Sequence, residues 1–146
     1  MQKIDFMSAM LRHFGIWEGT YTHLSPIGEL LDQHRARVVC EFPEQGEYAY
    51  IQHNLFTWPD GREYRVSLPA VFRDGKLWWN NARFHGYCWQ CEGLVMLRID
   101  RKDEPNAYFI ETIVLGESGR HRSRTWQWFR DGQMYKTTLC HESRVE

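Results

Sequence analysis

The chain has 146 residues, of which 42% are hydrophobic and 25% charged, and a net charge of −1 at pH 7. This length predicts one domain with a sizeable core, residues 1–146. The balanced charge gives no indication of nucleic-acid binding. No apolar run approaches the roughly 18 residues of a membrane span. The first residues lack the apolar segment and cleavage site of a signal peptide, so we expect a cytoplasmic protein with reduced cysteines.

Apolar residues at helical spacing predict one short amphipathic helix over residues 4–14. The positions that share its apolar face are Ile4, Met7, Leu11 and Phe14. Gly15 suits the end of this helix. Residues 26–33 fit either a short helical turn or a lid-like loop.

Alternating hydrophobic patterns after residue 13 predict about nine strands. They lie near 14–23, 33–42, 47–58, 62–72, 76–90, 94–101, 107–115, 120–130 and 133–142. Asp-Gly pairs at 60–61, 74–75 and 131–132 are typical of tight hairpins. Because closure removes exposed sheet edges, we expect a mainly β fold: an antiparallel up-and-down barrel of eight to ten strands with a short N-terminal helix.

The stretch GIWEGTY, residues 15–21, opens the first predicted strand. A helix followed by Gly-x-Trp and a meander of strands resembles the lipocalin or calycin superfamily. The resemblance implies that Trp17 closes one end of the barrel beneath a basic residue from a late strand. We expect Gly19 to let this strand bend, whereas Tyr21 lies on the Trp17 face and is the residue of this stretch that can meet a ligand.

Two further short motifs make the resemblance more specific. Gln52 and Asn54 on an early strand, and Glu142 and Arg144 near the end, are similar to residues of uncharacterised bacterial lipocalin-like domains that are common in cyanobacteria. Bilin lyases of the phycobiliprotein pathway look like more distant relatives. The missing signal peptide and disulfide pattern set the chain apart from secreted lipocalins.

The segment 119–130 places Arg120, Arg122 and Arg124 on one strand face, followed by Trp126 and Trp128. An inward face would offer guanidinium groups to a carboxylate and aromatic walls to an apolar body, which suits a fatty acid or a tetrapyrrole. An outward face would place the arginines in solvent, on tryptophan rings or against acids of neighbouring strands. Because unpaired buried arginines are costly, at most two are expected to face inward without partners.

Three other strands add polar residues to this candidate binding site. Glu111 lies on an otherwise apolar face, so it is expected to pair with Arg122 or Arg124 or to serve as an acid/base of raised pKa. One predicted face carries Tyr48, Tyr50, Gln52, Asn54, Phe56 and Trp58, and another carries Trp79, Asn81, Arg83, His85 and Tyr87. The candidate ligand-binding residues are Tyr50, Gln52, Asn54, Trp79, Asn81, Arg83, Glu111, Arg122, Arg124 and Trp126.

Cysteines and histidines do not form a recognisable metal motif, and no metal site or cofactor is predicted. Cys88 and Cys91 form a Cys-x-x-Cys pair, but positions i and i+3 of a strand face opposite sides, which favours structural thiols over zinc or redox chemistry. The seven histidines show neither His-x-His nor His-x-x-x-His spacing. A haem or a bilin stays open, and His85 and His141 are the histidines to test.

The leading hypothesis is binding of a small, largely apolar ligand, a fatty acid, a tetrapyrrole or a similar molecule, inside the barrel. One alternative is an enzyme or a chromophore-lyase-like chaperone on the same fold, with Glu111 or His85 as the acid/base. A second alternative is a protein–protein interaction module, for example a homodimer, because aromatic residues occupy both faces of several strands. No nucleophile or phosphate-loop motif assigns a catalytic residue.

Overall fold

Alternating strands joined by tight turns close on themselves in the computed structural model, which describes residues 5–145. Within these residues, helix α1 spans Phe6–Leu11 and ten antiparallel strands form one closed barrel. The strands are β1 (Gly15–Leu24), β2 (Leu30–Glu41), β3 (Tyr50–Thr57), β4 (Glu63–Arg73), β5 (Lys76–Asn80), β6 (Phe84–Cys91), β7 (Leu94–Arg101), β8 (Ala107–Leu115), β9 (His121–Arg130) and β10 (Gln133–Arg144). Each strand pairs with its neighbours in chain order, and β1 pairs with β10. The predicted fold class is confirmed.

Two of the predicted Asp-Gly turns have the backbone that a two-residue hairpin requires. Asp74 and Gly75 have φ values of 52° and 75°, and Asp131 and Gly132 have 51° and 78°. Two successive positive φ values match the right-handed twist of the flanking strands. The turns therefore hold β4 against β5 and β9 against β10. No helix within residues 5–145 has the length and apolar character needed to cross a membrane.

Helix α1 is shorter than the segment 4–14 that its apolar pattern predicts. The Asp5 side chain caps its first turn by accepting a hydrogen bond of 3.0 Å from the Ser8 backbone N–H, and the helix ends at Leu11. Gly15 does not end it: this residue starts β1 with a φ of 122°. After Leu11 the chain turns, because the backbone N–H groups of His13 and Phe14 donate to carbonyls only three residues back, and β1 begins at Gly15. Ile4 lies outside the described residues.

The predicted helical turn or lid-like loop at 26–33 is instead the end of a hairpin. The Ser25 backbone N–H donates to the Glu29 carbonyl at 2.8 Å, and β2 begins at Leu30. The β1–β2 ladder continues as far as the His23–Asp32 and Leu24–Leu30 pairs. Residues 30–33, for which the apolar pattern was ambiguous, therefore belong to β2 and lie along β1.

The predicted strand 76–90 is two strands, β5 and β6, so the barrel has ten strands rather than nine. The Asn81 side-chain oxygen accepts hydrogen bonds from the backbone N–H groups of Arg83 at 2.9 Å and Phe84 at 3.1 Å. Such a side-chain bond reverses the chain. The predicted common face of Trp79, Asn81, Arg83, His85 and Tyr87 is therefore wrong, because Trp79 is buried and His85 is exposed.

One end of the barrel is packed around Trp17, whose side chain is 0% exposed. The guanidinium carbons of Arg122 and Arg144 lie 4.5 Å and 4.4 Å from its ring centre, and its indole N–H donates to the His13 carbonyl at 3.0 Å. Gly19 allows a close approach rather than a bend, because a Cβ there would lie 2.4 Å from a β10 carbonyl oxygen.

Candidate functional site

Inward-facing side chains of all ten strands line a cavity of about 350 Å³ inside the barrel. Most of its wall is aromatic, and its members include Phe56, Trp58, Trp79, Phe109, Trp126 and Trp128. Trp58 directly follows β3, period-two alternation puts the other five rings on the inner faces of their strands, and the barrel closure brings all six together. The cavity volume falls near the lower end of the roughly 300–1,000 Å³ of small-molecule sites.

The floor of this cavity is a buried ion pair. The Arg124 Nε donates to a Glu111 carboxylate oxygen at 2.7 Å, and its Nη1 donates to the Tyr21 hydroxyl at 2.8 Å. The guanidinium group also lies 4.7 Å from the centre of the Trp126 ring. Burial raises the pKa of the Glu111 carboxyl, and the adjacent Arg124 opposes this shift. Glu111 was predicted to pair with Arg122 or Arg124, and its pairing with Arg124 is confirmed. The floor therefore needs no counter-charge from a ligand.

A second ion pair lies beneath the first, between the cavity and Trp17. The Arg122 Nε donates to a Glu142 carboxylate oxygen at 2.6 Å, and both side chains are buried. Burial acts to raise the pKa of the Glu142 carboxyl, but Arg124 and Arg122 outweigh it and lower this pKa. Arg122, a candidate ligand-binding residue, is thus absent from the cavity lining.

His13 completes this lower layer, because the Arg122 Nη1 donates to its Nδ1 at 3.1 Å. Burial, followed by the charges of Arg122 and other arginines, lowers the pKa of His13 from 6.5 to about 3. The folded protein therefore keeps this ring neutral, whereas the unfolded chain takes up a proton once the pH falls below the ordinary histidine value.

We predict an acid-sensitive stability that depends on His13. At this residue the unfolded state binds an extra proton between pH 6.5 and about 3, so His13 alone lowers the free energy of unfolding by about 2 kcal/mol as the pH falls from about 7 to about 5. His13→Gln keeps an acceptor for Arg122 and should remove most of this loss in urea titrations at the two pH values. His85→Gln, which changes an exposed histidine, is the control; an unchanged slope in His13→Gln would contradict the prediction.

A chain of side-chain hydrogen bonds runs along β3 on the inner face. The Tyr50 hydroxyl donates to the Gln52 side-chain oxygen at 2.9 Å, and the Gln52 amide donates to the Asn54 side-chain oxygen at 3.0 Å. Gln52 and Asn54 line the cavity, whereas Tyr50 is buried beneath it with its hydroxyl 3.2 Å from the Cys40 sulfur. Polar groups of β3 thus face the ligand space with their hydrogen bonds partly satisfied.

The mouth of the cavity carries polar residues that are not among the ten predicted ligand-binding residues. His23, His34 and Lys136 line it, and the Lys136 Nζ lies 4.2 Å from the centre of the Trp128 ring. Burial, with Lys136 next in effect, lowers the pKa of His23 to about 4, and burial lowers the pKa of Lys136. The sequence feature that points to these residues is the Asp-x-His spacing of Asp32 and His34, which puts both side chains on one strand face. That spacing alone is weak evidence for a site.

Six of the ten candidate ligand-binding residues line the cavity: Gln52, Asn54, Trp79, Glu111, Arg124 and Trp126. Tyr50 and Arg122 lie in the buried layer below it. Asn81 and Arg83 belong to the β5–β6 turn, where the Arg83 guanidinium carbon lies 4.7 Å from the Tyr64 ring centre. The unforeseen turn at Asn81 is the reason that these two residues leave the inner face.

The cysteine pair of β6 does not converge on one site. Cys88 is buried and Cys91 is exposed. Burial raises the pKa of the Cys88 thiol well above its ordinary value, so this sulfur stays protonated. Among the described residues, the one grouping of three ligand-type side chains close enough to share a metal ion contains no cysteine: it is His23, Asp32 and His34.

The chain resembles solved structures that share this barrel. It has 14% identity to the S-type phycobiliprotein lyase CPES from Guillardia theta, over 94% of this chain and 90% of that one, with a TM-score of 0.74. For EF1p2_mFAP2b bound to DFHBI, the identity is 15%, the coverage 93% and 96%, and the TM-score 0.50. These likenesses show the shared fold. No curated protein sequence gives a significant match.

A protein of unknown function from Nostoc punctiforme PCC 73102, of the DUF3598 family, has 14% identity and a TM-score of 0.69 over 93% of this chain. The chain spans 49% of the length of that protein. The family model described as the N-terminal domain of unknown function DUF3598 matches residues 5–146. With the barrel observed here and a match over nearly the whole sequence, this chain belongs to the DUF3598 N-terminal domain family.

Proposed function

We propose that the barrel binds a compact, largely apolar ligand that carries one acidic group. The observation that carries this proposal is an aromatic cavity of about 350 Å³ with the Lys136 amino group at its mouth. Aromatic walls favour an apolar or flat ligand body, and an amino group favours an anion. A medium-chain fatty acid or an aromatic acid of two or three rings has both properties.

The charges inside the barrel determine the orientation of such a ligand. Arg124 is already bonded to Glu111 and Tyr21, so an acidic group at the floor would find its cation occupied and a carboxylate next to it. At the mouth, Lys136 is half-buried, and no carboxylate lies within salt-bridge distance of its amino group among the described residues. We therefore place the apolar end against the Trp126 side of the cavity and the acidic end at Lys136.

The size of the cavity favours a compact ligand over an extended tetrapyrrole. Its volume is near the lower end of the range for small-molecule sites, and the Glu111–Arg124 pair and the layer beneath it leave no free depth below the floor. The fold agrees with a small-molecule role, since one protein of similar fold is bound to DFHBI and another is a phycobiliprotein lyase. The residues above, and not the shared fold, carry the proposal.

Fluorescence titration tests this proposal. Anilinonaphthalene sulfonate, a compact aromatic anion, should gain emission on binding and quench the cavity tryptophans with one site per chain, and dodecanoate should displace it. Lys136→Gln should weaken dodecanoate binding about tenfold, since a lost charge-assisted contact costs about 1.4 kcal/mol or more. The absence of saturable binding by either anion would refute the proposal, and tighter binding of biliverdin than of both would refute a compact ligand.

Two controls separate a mouth contact from general charge effects. Lys76→Gln removes a lysine that also lies near a tryptophan ring, 5.9 Å from Trp78, but away from the cavity lining, and should leave binding unchanged. Dodecanol lacks the carboxylate, so its affinity should be the same for the native protein and for Lys136→Gln. A loss of dodecanol binding equal to that of dodecanoate would contradict the proposed orientation.

The remaining alternatives stay predictions. They are an enzyme or lyase-like chaperone, an interaction module such as a homodimer, and a cytoplasmic location. Of the two proposed acid/base residues, Glu111 is bonded to Arg124, and His85 is exposed outside the cavity lining. Neither arrangement favours the enzyme over the binding protein.

A further inference from the structure

Three ligand-type side chains meet at the mouth of the barrel. His23 on β1 and Asp32 on β2 are directly paired across the two strands, and His34 follows Asp32 on the same strand face. The side-chain nitrogen or oxygen atoms that these residues offer all lie within 4.8 Å of one another. Directly opposed residues on one sheet face have Cβ atoms about 5 Å apart, so this register creates the cluster.

Packing holds the cluster in place. His34 is 7% exposed, and its ring centre lies 4.5 Å from that of Trp58 and 5.3 Å from that of Phe56. The Trp58 indole N–H donates to the Asp32 carboxylate, 3.1 Å from Oδ1. A carboxylate oriented by a neighbouring donor is a common feature of metal sites, because such bonds fix the ligand geometry.

Each of the two imidazole rings can present one nitrogen to an ion. The His23 Nδ1 lies 2.6 Å from the Thr138 hydroxyl, which also accepts a bond of 2.8 Å from the Trp128 indole N–H. The His34 Nδ1 lies 2.9 Å from an Asp32 carboxylate oxygen. For His23, a bond of this kind at Nδ1 leaves Nε2 to face the ion, as in other metal sites. For His34, Nδ1 and the Asp32 carboxylate oxygen are close enough to bind one ion together, which would replace the hydrogen bond between them.

We propose that His23, Asp32 and His34 bind one divalent first-row transition metal ion, such as Zn²⁺, at the mouth of the barrel. Two imidazoles and one carboxylate suit Zn²⁺ and its neighbours, whereas Ca²⁺ and Mg²⁺ prefer all-oxygen sites. Three protein ligands leave at least one coordination position free, and His23 and His34 line the cavity, so that position faces the ligand space. The site is independent of the proposed function, because the metal alone is its ligand.

Removal of the Lys136 charge should affect metal binding and dodecanoate binding in opposite directions. Lys136 and His23 both line the cavity and lie beside the Trp128 ring, with the Lys136 Nζ 4.2 Å and the His23 ring centre 6.5 Å from its centre, so the lysine charge repels a cation bound to His23. Lys136→Gln is therefore expected to strengthen metal binding several-fold, although the same change weakens dodecanoate binding. Failure of one expectation leaves the other standing, so the two proposals are tested separately.

The experiment uses untagged protein freed of metal with a chelator and titrated with Zn²⁺ alone by calorimetry, and with Co²⁺ by visible absorption. We expect one Zn²⁺ per chain, and a Co²⁺ spectrum typical of four or five ligands. His23→Gln and Asp32→Asn should each weaken Zn²⁺ binding at least tenfold. Both residues are partly exposed, so we expect both variants to fold, and near-ultraviolet circular dichroism checks this.

An exposed histidine pair elsewhere on the barrel provides the matched control. His121 and His141 are exposed and stack with ring centres 5.8 Å apart, away from His23, Asp32 and His34. His141→Gln should leave Zn²⁺ affinity unchanged. Zn²⁺ binding that disappears in His141→Gln but persists in His23→Gln would overturn the proposal, as would the absence of binding to the native protein at about 100 μM Zn²⁺, which corresponds to a binding free energy weaker than about 5.5 kcal/mol.

Discussion

Trp17→Ala is expected to lower the free energy of unfolding by about 3–5 kcal/mol, the range for removal of a large buried aromatic side chain. The Trp17 side chain is 0% exposed and lies between two guanidinium groups, whose carbons are 4.5 Å (Arg122) and 4.4 Å (Arg144) from the ring centre. Alanine leaves a cavity, removes both ring contacts and leaves the His13 carbonyl without the indole donor.

Urea unfolding followed by circular dichroism measures this loss, and Trp78→Ala is the control. Trp78 is partly exposed on the outer face of β5, where its indole N–H donates to the Arg73 carbonyl at 2.8 Å, so its removal should cost about 1 kcal/mol or less. Below the unfolding transition, Trp17→Ala should still bind anilinonaphthalene sulfonate. A Trp17→Ala protein of native stability that no longer binds this probe would show that Trp17 belongs to the ligand site.

The second large effect is expected at the buried Glu111–Arg124 pair. Glu111→Met or Arg124→Met should each destabilise the protein by about 3–5 kcal/mol, because each leaves the other charge buried without its partner. The loss at Arg124 should be the larger one: its Nη1 also donates to Tyr21 at 2.8 Å and lies 3.6 Å from Glu142.

The double variant Glu111→Met/Arg124→Met separates loss of a partner from loss of packing. With both charges gone, no uncompensated charge remains at the floor, and Glu142 keeps its bond to Arg122. We therefore expect the double variant to be more stable than the Arg124→Met single variant, with a clear coupling energy in the double-mutant cycle. Additive losses would contradict this account.

A surface ion pair shows how much of the effect depends on burial. Glu18 and Arg37 form a salt bridge on the outer face of the barrel, with side chains 36% and 47% exposed. Glu18→Gln should change stability by about 0–1 kcal/mol, because solvent screens both charges. A loss at Glu18 as large as the loss at Glu111 would mean that burial is not the source of the difference.

The sequence predicted the barrel because its signals are local. Alternation of period two and Asp-Gly turns lie within a few residues of one another, and both follow from backbone geometry. The split of residues 76–90 was missed because the turn at Asn81 depends on one side chain accepting two backbone hydrogen bonds, not on a glycine or proline signal. Because the alternation starts again after this turn, Asn81 and Arg83 do not share the inner face with Trp79.

The candidate site was predicted where one strand carried most of the signal. Arg124 and Trp126 share a face of β9, and Gln52 and Asn54 share a face of β3, so their alternation was sufficient to group them. The mouth residues were missed because His23 and Lys136 belong to strands far apart in sequence, with no spacing that links them. Only the pairing of β1 with β2 and β10 brings them to one place.

By itself the sequence determined which residues share a strand face wherever the predicted strand is uninterrupted, and hence the mainly β class and the number of strands to within one. Only the tertiary structure decided which faces point inward and which inward residues meet. Tyr21 and Arg124 are 103 positions apart and are joined by a hydrogen bond of 2.8 Å. The physical reason is that alternation repeats identically for both faces of a strand, whereas closure between β1 and β10 selects one face for burial and sets the register that places these side chains together.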